Sequence, residues 1–567
     1  MKIKKNHLIL LATLFSGMAA LIYEISWIRP IQMLLGSTVY TVSIIFACFM
    51  LGLGLGSIIS TKLLKKIDSY KLLMFIQFCI AITAMLSLMT FNFMPLIYKQ
   101  LTIFYYNFEI FMPLLFLLVF VIISIPTILM GMTWPVFVDS YKKKDVKTNI
   151  GELYSFNNFG AVIGASITSL LLIPFIGVNN AVLFGGVLNL LAFSMLAAFN
   201  KKTIILIPFA FLILVGVSTF SNYDVYNIYE NGFYRALLFE GEPLFSQKIL
   251  FHDEGLYATI DVVEEGGEVR SLLINGKGQG GTSVTDMRVN YLLAYLPLLL
   301  HDNPSNALII GLGTGTTAGH LAISLDTSVV EIEPLILDTI EFFSDVNRDV
   351  LNNNNIELVF DDGRNYLLKS KENFDIIIPE PSDPWQDFSS SLFSKEFFEL
   401  SKRHLNENGL FVQWIPVYEL SISDFKSFYA TFNSVFQNIL IFANVRKEER
   451  QGPYPTELIL VGSDSEFVLE NIAKNFYLLD SESREMLSSV ILHSSLPKFF
   501  ESEDAADRIE FLLMFADEDL HGYSDNVQLI TDDKPLLEFS VAKNIFRVDR
   551  EGVVNDLISF IVGDDSE

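Results

Sequence analysis

Four short stretches in the C-terminal half place glycines and carboxylates where a nucleoside and an amine could be handled together. In "LIIGLGTGTTAGHL", Gly311, Gly313 and Gly315 follow an apolar run and precede a helical one. At a strand-to-helix turn, residues without a Cβ let the backbone close on a ligand. The spacing is G-x-G-x-G rather than G-x-G-x-x-G, which disfavours NAD. "SVVEIEP" sets Glu331 and Glu333 on one strand face, about 20 residues past the glycines, where a carboxylate would take a ribose hydroxyl pair. Glu331 is the deeper of the two and is the candidate. "LVFDDGRNY" carries Asp361 and Asp362 beside Gly363. "FDIIIPEPSDPW" carries Glu380 and Asp383 among Pro379, Pro381 and Pro384, whose locked φ restricts the backbone around both acids. Two acids over a nucleoside site are suited to deprotonating or orienting an amine. The seven histidines form no HxH or HExxH pattern, and Cys48 and Cys79 lie in apolar stretches. No metal site, disulfide framework or thiol nucleophile is expected.

The elements that must hold these residues follow from periodicity. Strands are expected at 306–311, 327–332, 356–360, 374–379 and 409–415, with helices between them. That rhythm predicts a parallel sheet wound on both faces, with every candidate acid at a carboxyl end. A helix near 422–434 and two strands in "NILIFANVRKEERQGPYPTELILVGS" add an antiparallel hairpin, the methyltransferase-type variant of the Rossmann plan. Upstream, "ATIDVVEEGGEVRSLLINGKGQ" reads as two or three strands around the turns Gly266-Gly267 and Asn275-Gly276, followed by a helix at about 286–300. The last hundred or so residues are acidic and helical-looking, with one compact feature, "TDDKPLLEF".

The front half is a different object. Hydrophobic residues make up 51% of the chain and mean hydropathy is +0.41, too high for an ordinary soluble protein. Through Asn222 there are 15 Lys/Arg against 6 Asp/Glu, a net of +9, which leaves −35 of the total −26 to residues 223–567. A surface so acidic repels phosphate backbones, so nucleic acid is not an expected partner. About 20 apolar residues cross a bilayer as a helix, and seven stretches qualify: 7–28, 39–61, 72–97, 110–134, 154–177, 179–199 and 203–220. Alternate connections hold 13 lysines against Arg29 and Lys99 in the others, which predicts a cytoplasmic N-terminus and, after seven crossings, an extracytoplasmic C-terminal half. The segment 203–220, short and interrupted by Pro208, is the weakest of the seven. Gly52, Gly54, Gly56, Gly160 and Gly164 are expected where helix backbones approach closely. Glu24 either faces a partner or cavity, or lies at the interface with Trp27 and Arg29.

The motifs "GLGTGTTAG", "VVEIEP", "DDGRNYL", "FDIIIPEPSDPW", "SLFSKEFFELSKRHLNENGLFVQW" and "TDDKPLLEF" together resemble the spermidine synthase-like, or polyamine aminopropyltransferase, family. "GMAALIYEISWIRPIQMLLGST" and "GELYSFNNFGAVIGA" are similar to its bacterial branch, which carries a multi-span region in front. The resemblance implies transfer of an aminopropyl group from decarboxylated S-adenosylmethionine to an amine or polyamine, without metal, and homodimeric assembly is compatible with it. It implies that Gly311, Gly313 and Gly315 line the nucleoside, Glu331 holds the ribose and Asp362 and Gly363 flank adenine. Glu380 takes the place of the proton-accepting aspartate, and Asp383 matches the aspartate of a "DP" pair. Two departures weaken polyamine recognition: Thr314 replaces an aspartate of the glycine loop, and "TDMRVNYL" keeps Asp286 but loses other acids and a histidine. Methyl transfer from S-adenosylmethionine, and a non-enzymatic transporter or sensor, are the alternatives.

The expected architecture is thus an α-helical transmembrane bundle of about seven spans over 1–222, set in a lipid bilayer. A linker and small β subdomain (223–300), an α/β Rossmann-like, methyltransferase-type doubly wound domain (301–465) and an acidic extension (466–567) follow it.

Overall fold

The computed structural model describes residues 5–104, 107–141, 146–198, 201–224, 248–380, 383–386, 389–448, 452–492, 513–544 and 552–562. They form two compact units. One holds the front half with residues 253–259 and 275–277, and the other holds the rest of the chain from 245 onward.

Among the described residues of the first unit, five helices are long and apolar enough to cross a membrane: Lys5–Leu35, Val39–Leu63, Ser69–Phe91, Phe108–Ser140 and Lys147–Ala197. The last is a 51-residue run in which two helices meet at Gly177, whose angles (φ 75, ψ 167) are not helical, so it covers the stretch expected at 154–177 and most of that expected at 179–199. The bend frees the Val178 N–H from the helical ladder, and the buried Glu254 carboxylate accepts it. Tyr223 Oη donates to the same carboxylate at 3.2 Å. The seventh expected stretch holds Lys201–Ile204 and Leu206–Ser218, the longer only 13 residues. Pro208, which has no N–H to give Ile204, explains the interruption, while Ile205 itself keeps helical angles (φ −65, ψ −18).

Backbones touch where glycine allows it. A Cβ on Gly56 would lie 2.0 Å from the Ile128 oxygen, and one on Gly160 2.0 Å from that of Leu14. Gly52 and Gly164 are equally confined, whereas Gly54 meets open space, so the packing role expected of it does not hold. A buried polar chain links three helices: Tyr23 Oη to Asn189 (2.7 Å), Asn189 to Gln77 (2.7 Å) and Gln77 to Ser16 (3.0 Å). Glu24 is 4% exposed, inside the helical unit and not at its surface.

In the second unit, β1 (Lys248–Glu254), β2 (Thr259–Glu265), β3 (Val269–Ile274) and β4 (Lys277–Gly281) form a four-stranded sheet, one strand more than the turn signals predict. Helix Val284–Leu300 follows, capped by Ser283. The main sheet holds β5 (Asn306–Ile310), β6 (Asp326–Glu331), β7 (Ile356–Phe360), β8 (Phe374–Pro379), β9 (Leu405–Ile415), β10 (Asn438–Glu448), β11 (Gly452–Ser463) and β12 (Leu513–Ala516). Its order is β12-β10-β11-β9-β8-β5-β6-β7. The β9-β8-β5-β6-β7 part is parallel, and β11, β10 and β12 run antiparallel to their neighbours. The sheet is therefore mixed, as the hairpin predicts. β12, from the acidic extension, has no signal in the sequence.

One sheet face is covered by helices Lys395–Arg403 and Ile422–Asn433. Phe411 of β9 lies among Phe398 (5.5 Å between ring centroids), Phe432 (5.9 Å) and Phe436 (5.2 Å). The other face takes helices Val284–Leu300 and Thr316–Leu321, which pack together. After β6 the expected helix is a 3-10 stretch, Pro334–Phe343.

Candidate active site

The sheet order reverses direction at β5: the chain leaves it toward β6 and β7 on one side and returns to β8 on the other. A crevice opens at the carboxyl end of such a switch strand. Every expected nucleoside-side residue is tied to that end. Gly311 (φ 106) sits where a Cβ would come within 2.8 Å of the Glu380 carbonyl oxygen, so only glycine fits. Glu331, 7% exposed, accepts from Leu312 N (2.7 Å) and Glu333 N (2.8 Å), so one carboxylate pins the glycine loop and the end of its own strand. Burial pushes its pKa up, and these backbone donors oppose the rise. Asp362 caps helix Gly363–Lys369 by accepting from Asn365 N at 2.8 Å. Gly363 abuts Ile310, leaving a Cβ only 2.2 Å from Cγ2. Asp361 turns outward to Lys369 (2.7 Å), which holds its carboxyl below the usual range.

The end of β8 is different. Glu380 N donates to the Ile310 oxygen (2.8 Å), which sets its side chain beside the glycine loop. Its Oε1 is sealed from solvent and has no hydrogen-bond partner. Burial raises its pKa to about 7, and a hydrogen bond from the Thr317 hydroxyl opposes the rise. Asp383 is 2% exposed and accepts from Gln386 Nε2 at 3.2 Å. Pro381 and Ser382, which join the two acids, lie outside the described residues.

Residues 287–446 match the family model of the spermine/spermidine synthase domain. The chain carries a spermidine synthase domain. Polyamine aminopropyltransferase 2 of Aquifex aeolicus is 25% identical to it over 412 residues, covering 71% of this chain and 78% of that protein. That share exceeds everything after residue 222, so the likeness runs into the helical unit. The polyamine aminopropyltransferase of Thermococcus kodakarensis is 28% identical over 204 residues, 34% of this chain and 70% of that protein. The crystal structure of spermidine synthase in complex with the transition state analogue AdoDATO is 21% identical, with 47% of this chain and 89% of that chain covered and a TM-score of 0.37.

Thr314 and the retained Asp286 are both engaged by neighbouring groups. Thr314 Oγ1 bonds Thr316 Oγ1 at 2.8 Å, and its carbonyl accepts from Asn347 Nδ2 at 3.1 Å. The position therefore helps hold the loop and supplies no charge. Asp286 is occupied in the cap of helix Val284–Leu300, accepting from Ser283 Oγ at 2.7 Å.

Four residues escaped the sequence reading. Asn347 braces the loop through Thr314. His320, buried behind the loop, bonds Tyr295 Oη (2.7 Å) and Val346 O (3.2 Å), and burial lowers its pKa to about 4, so it stays neutral. Gln279 of β4 presents a buried Nε2 without a partner. Its neighbour Gly280 stands where a Cβ would be 3.5 Å from Thr314 Cγ2, so β4 runs over the loop. Trp414 of β9 has a buried, unpartnered indole N–H. A glutamine in a strand and a tryptophan in an apolar run carry no spacing signal, and only the fold brings them to the site.

The motif "TDDKPLLEF" is a brace. Asp532 forms a two-pronged ion pair with Arg364, next to Gly363, and Glu538 accepts from Ser390 in the segment after β8 (3.1 Å).

Proposed function

We propose that this chain is a membrane-bound aminopropyltransferase that moves an aminopropyl group from decarboxylated S-adenosylmethionine to an amine, with Glu380 as proton acceptor. The observation that carries this reading is the Glu380 carboxylate: buried, raised to about 7, and with one oxygen unanswered beside the glycine loop. The nucleoside side fits a sulfonium nucleoside. Glu331 and Asp362 each keep lone pairs for hydroxyl and ring N–H groups after their backbone bonds, and the glycine loop admits close approach.

In the transfer, the lone pair of the neutral amine attacks the propyl carbon bonded to sulfur. The C–N bond forms as the C–S bond breaks, and sulfur keeps that pair and leaves as the neutral thioether methylthioadenosine. The proton shed by nitrogen passes to Glu380. A base near 7 accepts it more readily than an ordinary carboxylate, while about half of it remains ionised at neutral pH. Asp383 supplies a second negative charge near the positive nitrogen. Incubating the full-length protein with decarboxylated S-adenosylmethionine and a panel of amines tests this: methylthioadenosine release is expected, and none with any amine overturns it.

For the helical unit we propose seven crossings, a cytoplasmic N-terminus and an extracytoplasmic synthase domain. Outward-facing Phe46, Met50, Phe75, Val121, Phe159, Phe175 and Leu212 fit contact with lipid. The seventh crossing is supported by where its ends are held. Thr203 donates to the Ala197 oxygen at one end. At the other, Asn92 donates to Asn222 O and accepts from Asp224 N, and Asn179 accepts from Tyr223 N. Asn92 follows helix Ser69–Phe91, at the end away from Lys71. At about 1.5 Å per residue, 201–220 can span a hydrocarbon core of about 30 Å. A C-terminal reporter active in only one compartment checks the side; activity on the cytoplasmic side rejects the seventh crossing.

A further inference from the structure

We propose that Trp414 selects the acceptor, so that the amine that is modified carries a hydroxyl or carbonyl oxygen close to its nucleophilic nitrogen. This rests on the reading of Glu380 as the group that faces the amine.

Strands β8 and β9 are parallel, with Ile376 paired to Leu410 and Ile377 to Phe411. Carrying that register three residues further sets Glu380 beside Trp414. Side chains at paired positions of neighbouring strands share a sheet face, and the face alternates along each strand. Phe411 points into the aromatic cluster of helices Lys395–Arg403 and Ile422–Asn433, so Trp414, three residues on, points to the opposite face. Glu380 is on that face too: Ile377 pairs with Phe411, Glu380 stands three residues further on, and its N–H still bonds β5 through the Ile310 oxygen. Two side chains from adjacent strand ends therefore flank one spot. Each brings a polar atom that is sealed from solvent and has no partner: Glu380 Oε1 and Trp414 Nε1.

The two atoms ask for different things. An ionised carboxylate oxygen only accepts, and an indole nitrogen only donates. A plain diamine answers the first and not the second. Its charged end offers donors alone, and its reacting nitrogen has a single lone pair that is committed to the new C–N bond. Accepting from Trp414 would withhold that pair from the reaction. An amine with a neighbouring oxygen accepts from Trp414 with the oxygen and keeps its nitrogen lone pair free, its N–H facing Glu380. Leaving a buried donor unanswered costs about tenfold in an equilibrium constant.

Calorimetry on the full-length protein, saturated with methylthioadenosine, would compare 1,4-diaminobutan-2-ol with 1,4-diaminobutane. The hydroxylated amine is expected to bind about tenfold more tightly. Trp414→Phe keeps a ring and removes the N–H; it should weaken the hydroxylated amine alone and bring the pair within about twofold. Equal or tighter binding of the plain diamine by the unmodified protein overturns the proposal, a result that does not depend on how the variant folds. So does a preference unchanged in Trp414→Phe, or an equal loss for both amines. Because binding is read, a preference that holds without any methylthioadenosine release would sustain the selectivity of Trp414 while removing the transferase reading.

Discussion

Glu331 and Glu380 both stand at the carboxyl ends of strands that flank β5, and burial of their carboxyl groups drives the pKa of both upward. They are put to opposite uses. Glu331 gives each oxygen a backbone N–H, and so builds the loop that will hold the ligand. Glu380 accepts no backbone N–H and keeps an oxygen unanswered. The difference between a structural carboxylate and a reactive one therefore lies in what the neighbouring backbone offers, not in residue type or position in the sheet. A shift from 4.5 to about 7 corresponds to about 3 kcal/mol against the charged form.

Several changes would break or sharpen this contrast. Glu380→Gln should lower kcat by about 10²- to 10⁴-fold while methylthioadenosine affinity, read by calorimetry, stays within about twofold; a matching loss of affinity would erase the distinction between the two acids. Glu331→Gln should do the reverse. Its amide nitrogen would oppose a backbone N–H, and nucleoside affinity should fall by about 30-fold, with kcat at saturation little changed. For the unmodified enzyme, kcat should drop about tenfold per pH unit below about 7, as Glu380 takes up its proton. The sign for stability is opposite to that of an ordinary ion-paired acid. The folded pKa lies above the unfolded one, so this group's stabilisation is full below 4.5 and is lost as pH rises through about 7. Thermal melts of Glu380→Gln should lack that slope.

Two smaller effects mark the limits of the site. Gly160→Ala, with its Cβ 2.0 Å from the Leu14 oxygen, should destabilise the helical unit by about 1–3 kcal/mol in detergent melts and leave nucleoside affinity alone. Asp532→Asn removes a partly exposed ion pair to Arg364, worth at most about 1 kcal/mol; KM for the donor should rise less than about threefold.

Much of this was legible in the residues. The periodicity of apolar runs placed β5 to β9 to within a few residues, because buried parallel strands are short, continuous apolar stretches. The glycine triplet and the acids at strand ends were visible because ligand sites of this sheet type recur at those ends. Other features left no local trace. β12 comes from an acidic extension and pairs with β10 across a long separation. The stretch after β6 is helical in pattern but settles as a 3-10 run. Residues 154–177 and 179–199 read as two spans, and two helices do meet at Gly177, but nothing in the sequence announces that the Glu254 carboxylate accepts the Val178 N–H freed there.

Sequence by itself determined the division into an apolar, basic front and an acidic α/β rear, the position of most strands along the chain, and which carboxylates stand at strand ends. Each of these is a local or compositional property, set by periodicity and charge. Tertiary structure alone decided that Glu331 is spent on backbone donors while Glu380 is not, that Asp286 and Thr314 are taken up by neighbouring hydroxyls, and that Gln279 and Trp414 reach the site. Those outcomes depend on which donors and acceptors meet across the fold, and hydrogen-bond satisfaction is a property of neighbours in space rather than along the chain.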